Sequence, residues 1–372
     1  MHLSQAQINY CMECGVCTGS CPVSSELESF SPRQIIKRTL VEGDENFLHG
    51  HDLWACLSCG RCSDRCPVGI SFHEYLRNYR EEARKINNLP KLSHHGSLQT
   101  LNAIQTRDIQ QNRTDWAETA GRFQETGDTL YFVGCLPYQD VVFRYLGLSV
   151  LDTARSALAL LNRLGIEPVI SNDERCCGHD AFWSGNTEVF QELAARNIEC
   201  IKQSGAKRVL FTCPEGYHTF KTYYPQYFGE LPFEVRYMAD FLAEELPKAD
   251  LDWQPPEQAA VTFHDPCRLG RFSGIYEQPR ELIKLVPGHE LREMQRNREN
   301  ALCCGTSCWM ECSSFSKGMQ IERLTEAVDA GAQTLITACP KCQIHLNCGL
   351  QTTELELEIT DLYSYLARGL NA

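Results

Sequence analysis

The sequence lacks a long apolar run, an excess of positive charge and the glycine-rich loops that bind nucleotides. No stretch approaches the roughly 18–20 consecutive apolar residues that a membrane span requires. The first residues, Met1 to Gln5, also lack the basic and then apolar segment of a secretory signal. We therefore expect a cytoplasmic protein without a transmembrane segment of its own, which reaches the inner face of a membrane only through a partner.

The charge balance and the missing loops exclude further classes of ligand. The formal net charge is −13, from 35 Lys and Arg against 48 Asp and Glu, whereas nucleic acid is bound by clustered Lys and Arg. No Gly-x-Gly-x-x-Gly follows an apolar run, and no Walker-type loop is present. We expect no nucleic-acid partner and no flavin or nicotinamide site, so electron pairs have to be split by a flavoprotein or hydrogenase-like partner.

Cysteine, in contrast, is abundant, with 21 residues in a chain of 372. Disulfides persist mainly in oxidising compartments. In a cytoplasmic chain, metal ligation is therefore the better interpretation of so many thiols.

The first 90 residues carry one cysteine pattern twice. The runs are Cys11-x2-Cys14-x2-Cys17-x3-Cys21-Pro22 and Cys56-x2-Cys59-x2-Cys62-x3-Cys66-Pro67. In two-cluster ferredoxins, the first three thiolates of such a run hold one cubane [4Fe-4S] cluster and the fourth reaches the other cluster. Paired zinc knuckles are the alternative, but they rarely have the full run. The predicted ligand sets are Cys11, Cys14, Cys17 and Cys66 for one cluster, and Cys56, Cys59, Cys62 and Cys21 for the other.

The rest of the chain contains a second cysteine frame, also in two copies. The first copy has Cys135, Cys176-Cys177-Gly178 and Cys213, and the second has Cys267, Cys303-Cys304-Gly305, Cys339 and Cys342. Corresponding positions lie 126 to 132 residues apart, which indicates an internal duplication. Gly216 stands where the second copy has Cys342. Because one tetrahedral metal takes four ligands, five thiols with a vicinal pair favour an iron–sulfur cluster.

Alternating apolar runs and amphipathic segments predict a parallel sheet in each copy. We expect strands at 130–134, 167–171, 208–212, 260–263 and 334–337, and helices at 154–163, 188–204 and 317–330. Ligands bind at the carboxyl ends of such strands, where Cys135, Cys213, Cys267 and Cys339 lie.

The predicted fold class is α/β. Residues 1–88 form a helical two-cluster ferredoxin module, with helices from Pro32 and from Phe72 to Lys85. Residues 89–128 form a linker with a helix over 98–111, and residues 129–255 and 256–372 form two domains with Rossmann-like parallel sheets.

A duplicated frame behind a ferredoxin module resembles the cysteine-rich, CCG-domain subunits of heterodisulfide reductase. It is also similar to the iron–sulfur subunits of glycolate oxidase and anaerobic glycerol-3-phosphate dehydrogenase. The resemblance implies one non-cubane [4Fe-4S] cluster, held by Cys267, Cys303, Cys304, Cys339 and Cys342. The reduced first copy would hold a cubane cluster, a zinc ion or nothing, on Cys135, Cys176, Cys177 and Cys213. The glycine after each vicinal pair is expected to let the backbone pass close to a cluster.

The resemblance implies an electron-transfer subunit of an anaerobic oxidoreductase complex, with thiol or disulfide chemistry at Cys303 and Cys304. His264 is a candidate catalytic residue, because its strand end faces the site. One alternative is a pure relay from a flavin dehydrogenase partner to quinone, through a membrane quinone-reactive subunit. An alternative of another class is a scaffold stabilised by zinc.

Further side chains beside the frame are candidates for supporting roles. Cys308 and Cys312 share one face if residues 307–314 are helical, and would shield the cluster or offer a thiol for exchange. Three histidines neighbour predicted ligands and would donate a hydrogen bond to cluster sulfur or a proton to a thiolate: His179, His264 and His345.

Overall fold

Short helices connected by the cysteine runs make up the N-terminal part of the chain. The computed structural model describes residues 8–41, 45–254, 260–305, 307–310 and 312–370. The helices before residue 90 are Val16–Ser20, Pro22–Glu26, Pro32–Val41, Glu45–Leu48, Asp52–Ala55, Arg61–Asp64 and Phe72–Lys85. The two predicted helices are confirmed, and no strand occurs in the described part of residues 1–88.

The two ferredoxin-type runs share one backbone conformation. The residue before the second cysteine has a positive φ in both, 52° at Glu13 and 51° at Ser58. The glycine after that cysteine is also left-handed, with φ 80° at Gly15 and 76° at Gly60. A Cβ on Gly60 would lie 2.6 Å from the ring of Phe272. This glycine therefore lets the second run pack against the C-terminal half of the chain.

Residues 89–128 pack on both later domains. They contain the helices Ser97–Ile104 and Asp115–Glu118, so the helix predicted over 98–111 ends earlier than expected. The buried Arg113 donates to a carboxylate oxygen of Glu174 at 2.8 Å in one domain, and Gln99 Nε2 donates to the Cys308 carbonyl at 2.9 Å in the other.

Two parallel sheets follow, one in each copy of the frame. The first has the order β1-β2-β3, with β1 Thr129–Phe132, β2 Arg208–Phe211 and β3 Glu234–Tyr237. The second has the order β5-β4-β6-β7, with β4 Ala260–His264, β5 Glu290–Leu291, β6 Thr334–Thr337 and β7 Glu358–Asp361. In register, Thr129 lies opposite Arg208 and Val261 lies opposite Thr334. The predicted α/β class is confirmed.

The strand predicted over 167–171 is wrong. Only Val169 pairs there, through single bridges to Leu130 and Gln124. Its amide donates to the Thr129 carbonyl at 2.8 Å, and its carbonyl accepts from the Tyr131 amide at 3.0 Å.

Helices cover both sheets and confirm the predictions for 154–163, 188–204 and 317–330. In the first domain they are Leu136–Val142, Asp152–Arg163, His179–Trp183, Thr187–Ser204, Pro214–His218, Tyr224–Phe228 and Met238–Glu245, with a π-helical turn at Thr219–Tyr223. In the second they are Glu277–Leu285, Ser314–Asp329, Pro340–Leu350 and Leu362–Gly369. Short 3-10 segments lie at Ser93–Gly96, Arg144–Leu146, Leu246–Lys248 and Arg298–Asn300.

Residues 307–310 are not helical, so the condition under which Cys308 and Cys312 would share a helix face is not met. Cys308 and Trp309 are left-handed, with φ 55° and 53°, and an antiparallel bridge joins Ser307 to Met310. The Trp309 carbonyl accepts from the Ser93 amide at 2.9 Å instead of continuing a helix. Cys308 is consequently buried and Cys312 exposed, so the two thiols share no helix face.

Arg80 ties the ferredoxin-type part to the first domain. Its buried guanidinium donates to the carbonyl oxygens of Cys56 at 2.7 Å, Leu53 at 3.1 Å and Trp183 at 3.0 Å. The loop after Trp183 approaches closely, because a Cβ on Gly185 would lie 2.5 Å from the Glu81 amide nitrogen. Only glycine permits this approach.

This close approach is testable with two glycines of nearly equal φ. Gly185 and Gly205 have φ 75° and 76°, but a Cβ on Gly205 would meet no atom within 4 Å. We expect Gly205→Ala to cost about 1–2 kcal/mol for the left-handed conformation alone. Gly185→Ala should cost about 1–3 kcal/mol more through the backbone clash. Anaerobic denaturant unfolding of both variants measures the difference, and equal losses would contradict the packing described.

Candidate iron–sulfur centre

The thiols of the two ferredoxin-type runs form two groups. The fourth cysteine of each run lies with the first three cysteines of the other run. Cys21 lies beside Cys56, Cys59 and Cys62. Cys66 lines a recess with the thiols of the first run. This is the arrangement that the predicted ligand sets require, and ligation of iron by these thiols stays a prediction.

The two groups differ in burial. Cys14 in the first group is exposed, whereas Cys56, Cys59 and Cys62 of the second are buried. Burial raises the pKa of Cys21 to about 12, and Cys59 and Cys56 add to that shift. Burial likewise raises the pKa of Cys56 and Cys62. These close thiols are a fitting donor set for a metal cluster, whose positive charge would favour their thiolate forms.

In the second domain, one continuous group of sulfur contacts joins the five predicted ligands. The Cys303 thiol hydrogen-bonds with those of Cys267 and Cys304. Cys342 hydrogen-bonds with Cys304 and with Cys339. The hydrogen bonds from Cys303 and Cys342 hold the pKa of Cys304 well below its ordinary value. The chemistry of this donor set fits an iron–sulfur cluster, because such clusters are held by thiolates.

The elements of the sheet explain this convergence. Cys267 and Cys339 follow the neighbouring parallel strands β4 and β6, and Cys339 is the N-cap residue of Pro340–Leu350. Cys342 lies in the first turn of that helix, and the vicinal pair comes from a loop. Parallel strands present their carboxyl ends at one edge, which brings residues far apart in sequence together.

Two histidines flank Cys304. His345 Nδ1 lies 3.5 Å from its sulfur, and His264 contacts the same thiol. Arg323 Nε donates to His264 Nδ1 at 3.0 Å, so Nδ1 is an acceptor and the ring proton lies on Nε2. Burial lowers the pKa of His264. His264 is therefore held neutral, as a potential hydrogen-bond donor to sulfur, and its catalytic role stays a prediction.

The glycine of each vicinal pair has a different role from the one expected. Gly178 and Gly305 have φ 80° and 91°. A Cβ would meet the Phe190 ring at 2.9 Å in the first domain and the Ser316 carbonyl oxygen at 2.6 Å in the second. The close approach is thus to the helix that follows, and not to the cysteine site.

The first domain brings its four thiols together, because Cys135, Cys176, Cys177 and Cys213 all line one recess. Cys176 hydrogen-bonds with Cys135 and Cys177, and the Cys213 thiol, which lies near Cys177, also hydrogen-bonds with Cys339 of the other domain. A Cβ on Gly216 would lie 3.4 Å from the Phe211 ring and 3.8 Å from Cys177 Cβ, which are ordinary contacts. The position that lost its thiol therefore still has room for one.

A buried ion-pair network joins the two domains beside these thiols. Lys341 Nζ lies 2.5 Å from Asp180 Oδ1 and 2.6 Å from Glu215 Oε2. His179 Nε2 lies 3.3 Å from Glu215 Oε1. Burial favours the neutral amine, but Asp180 and Glu215 hold the pKa of Lys341 well above its ordinary value.

Sequence reasoning missed this network, although a signal was present. Glu215 and Lys341 occupy the same position of the two copies, in Cys213-Pro-Glu-Gly and Cys339-Pro-Lys-Cys. Opposite charges at matching positions of a duplicated fold indicate that the two positions face each other.

Arg268 is a second functional candidate that the sequence did not indicate. Its guanidinium lies between the rings of Trp183 and Phe272, 4.2 and 4.0 Å from their centroids. Arg268 is buried, and its Nη1 has no hydrogen-bond partner among the described residues. Together with Lys341 and Cys304 it lines a small cavity between the two domains.

The ferredoxin-type thiols contact the second domain directly. The Cys59 and Cys303 thiols hydrogen-bond with each other, and Arg271 Nε donates to the Cys59 carbonyl at 2.9 Å. The hydrogen bond from Cys303, with support from Arg271, lowers the pKa of Cys59 to about 5. Sulfur contacts thus run from Cys59 through the second domain to Cys213 of the first.

Comparison with protein families agrees with this geometry. Residues 7–70 match the 4Fe-4S dicluster domain, and residues 129–221 and 261–347 match the cysteine-rich domain called CCG. The chain is a CCG-domain iron–sulfur protein. Both the resemblance and the duplication inferred from the sequence are confirmed.

Relatives of this CCG-domain protein belong to redox complexes. It is 31% identical over 268 residues to a subunit of the dihydromethanophenazine:CoB–CoM heterodisulfide reductase of Methanosarcina barkeri, which covers 70% of this chain and 63% of the relative. It is 30% identical over 260 residues to the EtfAB:quinone oxidoreductase of Syntrophomonas wolfei, covering 65% of this chain and 36% of that protein. The chain thus spans less than two thirds of the length of either relative.

A solved structure supports the fold. The crystal structure of a hypothetical protein from Helicobacter pylori has a TM-score of 0.56 at 12% identity, covering 92% of this chain and 66% of that one. Within the described residues, no helix of the CCG-domain protein combines the length and apolar character needed to cross a bilayer.

The ion-pair network gives a prediction for stability. Lys341→Met leaves Asp180 and Glu215 without their cation in a buried site, so we expect a loss of about 3–5 kcal/mol. Denaturant unfolding under anaerobic conditions measures this loss. The triple variant Asp180→Asn, Glu215→Gln, Lys341→Met should recover much of it, because no unpaired charge remains.

An exposed ion pair supplies the control. Lys207 Nζ lies 2.8 Å from Asp128 Oδ1, with both side chains largely exposed. Lys207→Met should leave the unfolding midpoint unchanged, because water screens this pair. If Lys341→Met behaved like Lys207→Met, the network would not stabilise the domain interface.

Proposed function

We propose that this chain is an electron-transfer subunit of a heterodisulfide reductase-like oxidoreductase complex, with thiol or disulfide chemistry at Cys303 and Cys304. The observation that carries the proposal is the contact between Cys59 and Cys303, which joins the ferredoxin-type thiols to the five-thiol set. When bound, iron–sulfur clusters supply one-electron redox chemistry at such thiols.

The proposed ligands follow the sulfur contacts described above. Two cubane [4Fe-4S] clusters are assigned to Cys11, Cys14, Cys17 and Cys66, and to Cys21, Cys56, Cys59 and Cys62. A non-cubane [4Fe-4S] cluster is assigned to Cys267, Cys303, Cys304, Cys339 and Cys342. The remaining set, Cys135, Cys176, Cys177 and Cys213, is assigned a cubane cluster, with zinc as the alternative.

Differences in exposure support a path for electrons that runs from the exposed first thiol group to the buried thiols of the interior. Cys14 is exposed, and its neighbours Tyr10 and Met12 are 71% and 66% exposed. Exposed aromatic and methionine side chains are typical of partner contacts. A flavoprotein or hydrogenase-like partner would dock at this end, while burial of Cys59 and Cys303 excludes water further in.

Substrate chemistry is assigned to the second domain, because only that domain has five thiols. The cavity beside Cys304 contains Arg268 and Lys341. His264 and His345 contact the Cys304 sulfur from two sides and would stabilise charge there. A small thiol or disulfide entering this cavity would therefore meet Cys304 and its two histidines.

A relay without substrate chemistry is the second candidate. It is favoured by the similarity to the EtfAB:quinone oxidoreductase. In this case the chain passes electrons from a flavoprotein towards quinone, through a membrane quinone-reactive partner. Both candidates require the same clusters and differ in what reaches the cavity beside Cys304.

Metal analysis and spectroscopy of anaerobically purified protein test the proposal. Three [4Fe-4S] clusters predict roughly twelve irons per chain and a fourth predicts roughly sixteen, with equal acid-labile sulfide. Addition of a small thiol to oxidised protein should change its electron paramagnetic resonance signal, whereas a pure relay predicts no change. A total of roughly eight irons, unaffected by Cys304→Ser, would refute the assignment of the second domain. Zinc in place of that iron would support a scaffold.

Exchanging the residues that distinguish the two domains gives matched variants. Cys342→Gly converts the second site to the four-thiol form and should abolish the thiol-sensitive signal, while the ferredoxin-type signals remain. Gly216→Cys converts the first site to the five-thiol form without a clash, and should leave the thiol-sensitive signal in place. If Cys342→Gly retained that signal at full amplitude, the fifth thiol would not define the substrate site.

A further inference from the structure

Four cysteines remain outside the proposed ligand sets: Cys200, Cys308, Cys312 and Cys348. Cys200 and Cys308 are buried, whereas Cys312 is exposed and Cys348 is half-buried. The two accessible thiols come from different segments, yet both line one recess. This recess is distinct from the cavity that contains Arg268.

Aromatic side chains form one wall of the recess. The rings of Phe143 and Trp309 are stacked with centroids 4.8 Å apart, and the His94 ring meets Phe143 edge-on at 5.0 Å. Tyr145 lies at the same wall. The two stacked rings are buried, whereas the Tyr145 ring, 6.4 Å from that of Phe143, is exposed. The exposed ring provides binding area for an organic group at little entropic cost.

One lysine interacts with both thiols. Lys317 Nζ lies 2.9 Å from Cys348 Sγ and donates to the Cys348 carbonyl at 2.8 Å. The same ammonium acts on Cys312, because partial burial raises the pKa of that thiol and the charge of Lys317 opposes the shift. Reactive cysteines are typically found in such partly exposed, electropositive surroundings.

A buried nitrogen without a partner lines the same recess. His345 is 5% exposed, and its Nε2 has no hydrogen-bond partner within the described part of the chain. Its Nδ1 contacts the Cys304 sulfur at 3.5 Å. One imidazole therefore separates the recess from the five-thiol site. An unsatisfied buried polar atom of this kind indicates a missing hydrogen-bonding ligand.

The recess is bordered by backbone in an unusual conformation. Cys308 and Trp309 have φ 55° and 53°, and the facing pair His94 and His95 has φ 52° and 53°. A bridge from Leu92 to Met310 and the Ser93–Trp309 hydrogen bond hold these two segments together. Left-handed non-glycine residues are costly and persist where the surroundings enforce them, often at ligand sites.

We propose that this recess is a thiol–disulfide exchange site, in which Cys348 is the nucleophile, Cys312 is the resolving thiol and the ligand is a small organic disulfide. The Cys348 thiolate attacks one sulfur of the disulfide, forms a mixed disulfide and releases the first thiolate. Cys312 then attacks the Cys348 sulfur, releases the second thiolate and closes a Cys312–Cys348 disulfide. One disulfide is reduced to two thiols as two protein thiols are oxidised, so no electron from a cluster is needed.

Mass spectrometry of the anaerobic holoprotein tests this inference with the aryl disulfide dithiobis-nitrobenzoate, whose released thiolate is coloured. With one equivalent of this disulfide, the wild type should release two aryl thiolates, and the mass of the protein should fall by two hydrogens. Peptide mapping should place the new disulfide bond between Cys312 and Cys348. Cys312→Ser should release one thiolate and retain the aryl adduct on Cys348. Cys200→Ser should behave like the wild type, because Cys200 is buried elsewhere.

Lys317 acts as a positioning residue and has a matched pair of variants. In the Cys312→Ser background, Lys317→Gln should slow labelling of Cys348 at neutral pH by about tenfold, because the attacking sulfur loses its contact with the ammonium. Lys317→Arg, which keeps the charge and the donor, should restore the rate. A purely structural role would slow labelling in both variants.

Two results would overturn the inference. One is a stable aryl adduct on the wild type with no Cys312–Cys348 bond. The other is failure of Cys312→Ser to label at Cys348 while its cluster absorption is intact. Because the readout is the mass of protein thiols, it is independent of the iron content that tests the proposed electron transfer.

Discussion

One buried ammonium holds the two halves of this duplicated structure against each other. Lys341 comes from the second domain and pairs with Asp180 and Glu215 of the first. Breaking such a pair leaves uncompensated charge in a medium that solvates it poorly. The contact between Cys213 and Cys339 lies at the same domain interface. The cavity lined by Arg268 lies there too, because both are found where the carboxyl ends of the two sheets meet.

The duplication was followed by divergence at two neighbouring positions. Glu215 faces Lys341, and Gly216 replaces the thiol that Cys342 retains. Identical charged residues at the positions of Glu215 and Lys341 would have placed like charges together at the domain interface. The opposite charges stabilise the pairing of the domains, and the loss of one thiol leaves a single five-thiol site. The two domains therefore share a fold but differ in the number of thiols at their sites. The two accessible cysteines outside the proposed ligand sets, Cys312 and Cys348, both lie beside the five-thiol site.

Several expectations from the sequence were wrong where local patterns met tertiary packing. The apolar residues around Val169 predicted a strand, but only Val169 pairs, through single bridges to Leu130 and Gln124. Cys308 and Cys312 would have shared a face if their segment were helical, but residues 92–99 hold Cys308 and Trp309 in a left-handed turn. Gly178 and Gly305 were expected to face a cluster, and instead allow contact with the following helix. In each case, the deciding contact is made by a residue outside the local sequence pattern.

Cysteine spacing and apolar periodicity were enough to predict the domain families and the alternation of strands and helices. Cysteine spacing reports local ligand geometry, and apolar periodicity reports which residues face a core. The contacts between the groups required the folded chain: Cys59 with Cys303, Cys213 with Cys339, and Lys317 with Cys348. These contacts join segments separated by long stretches of chain. No local pattern records them, because they depend on how whole domains pack.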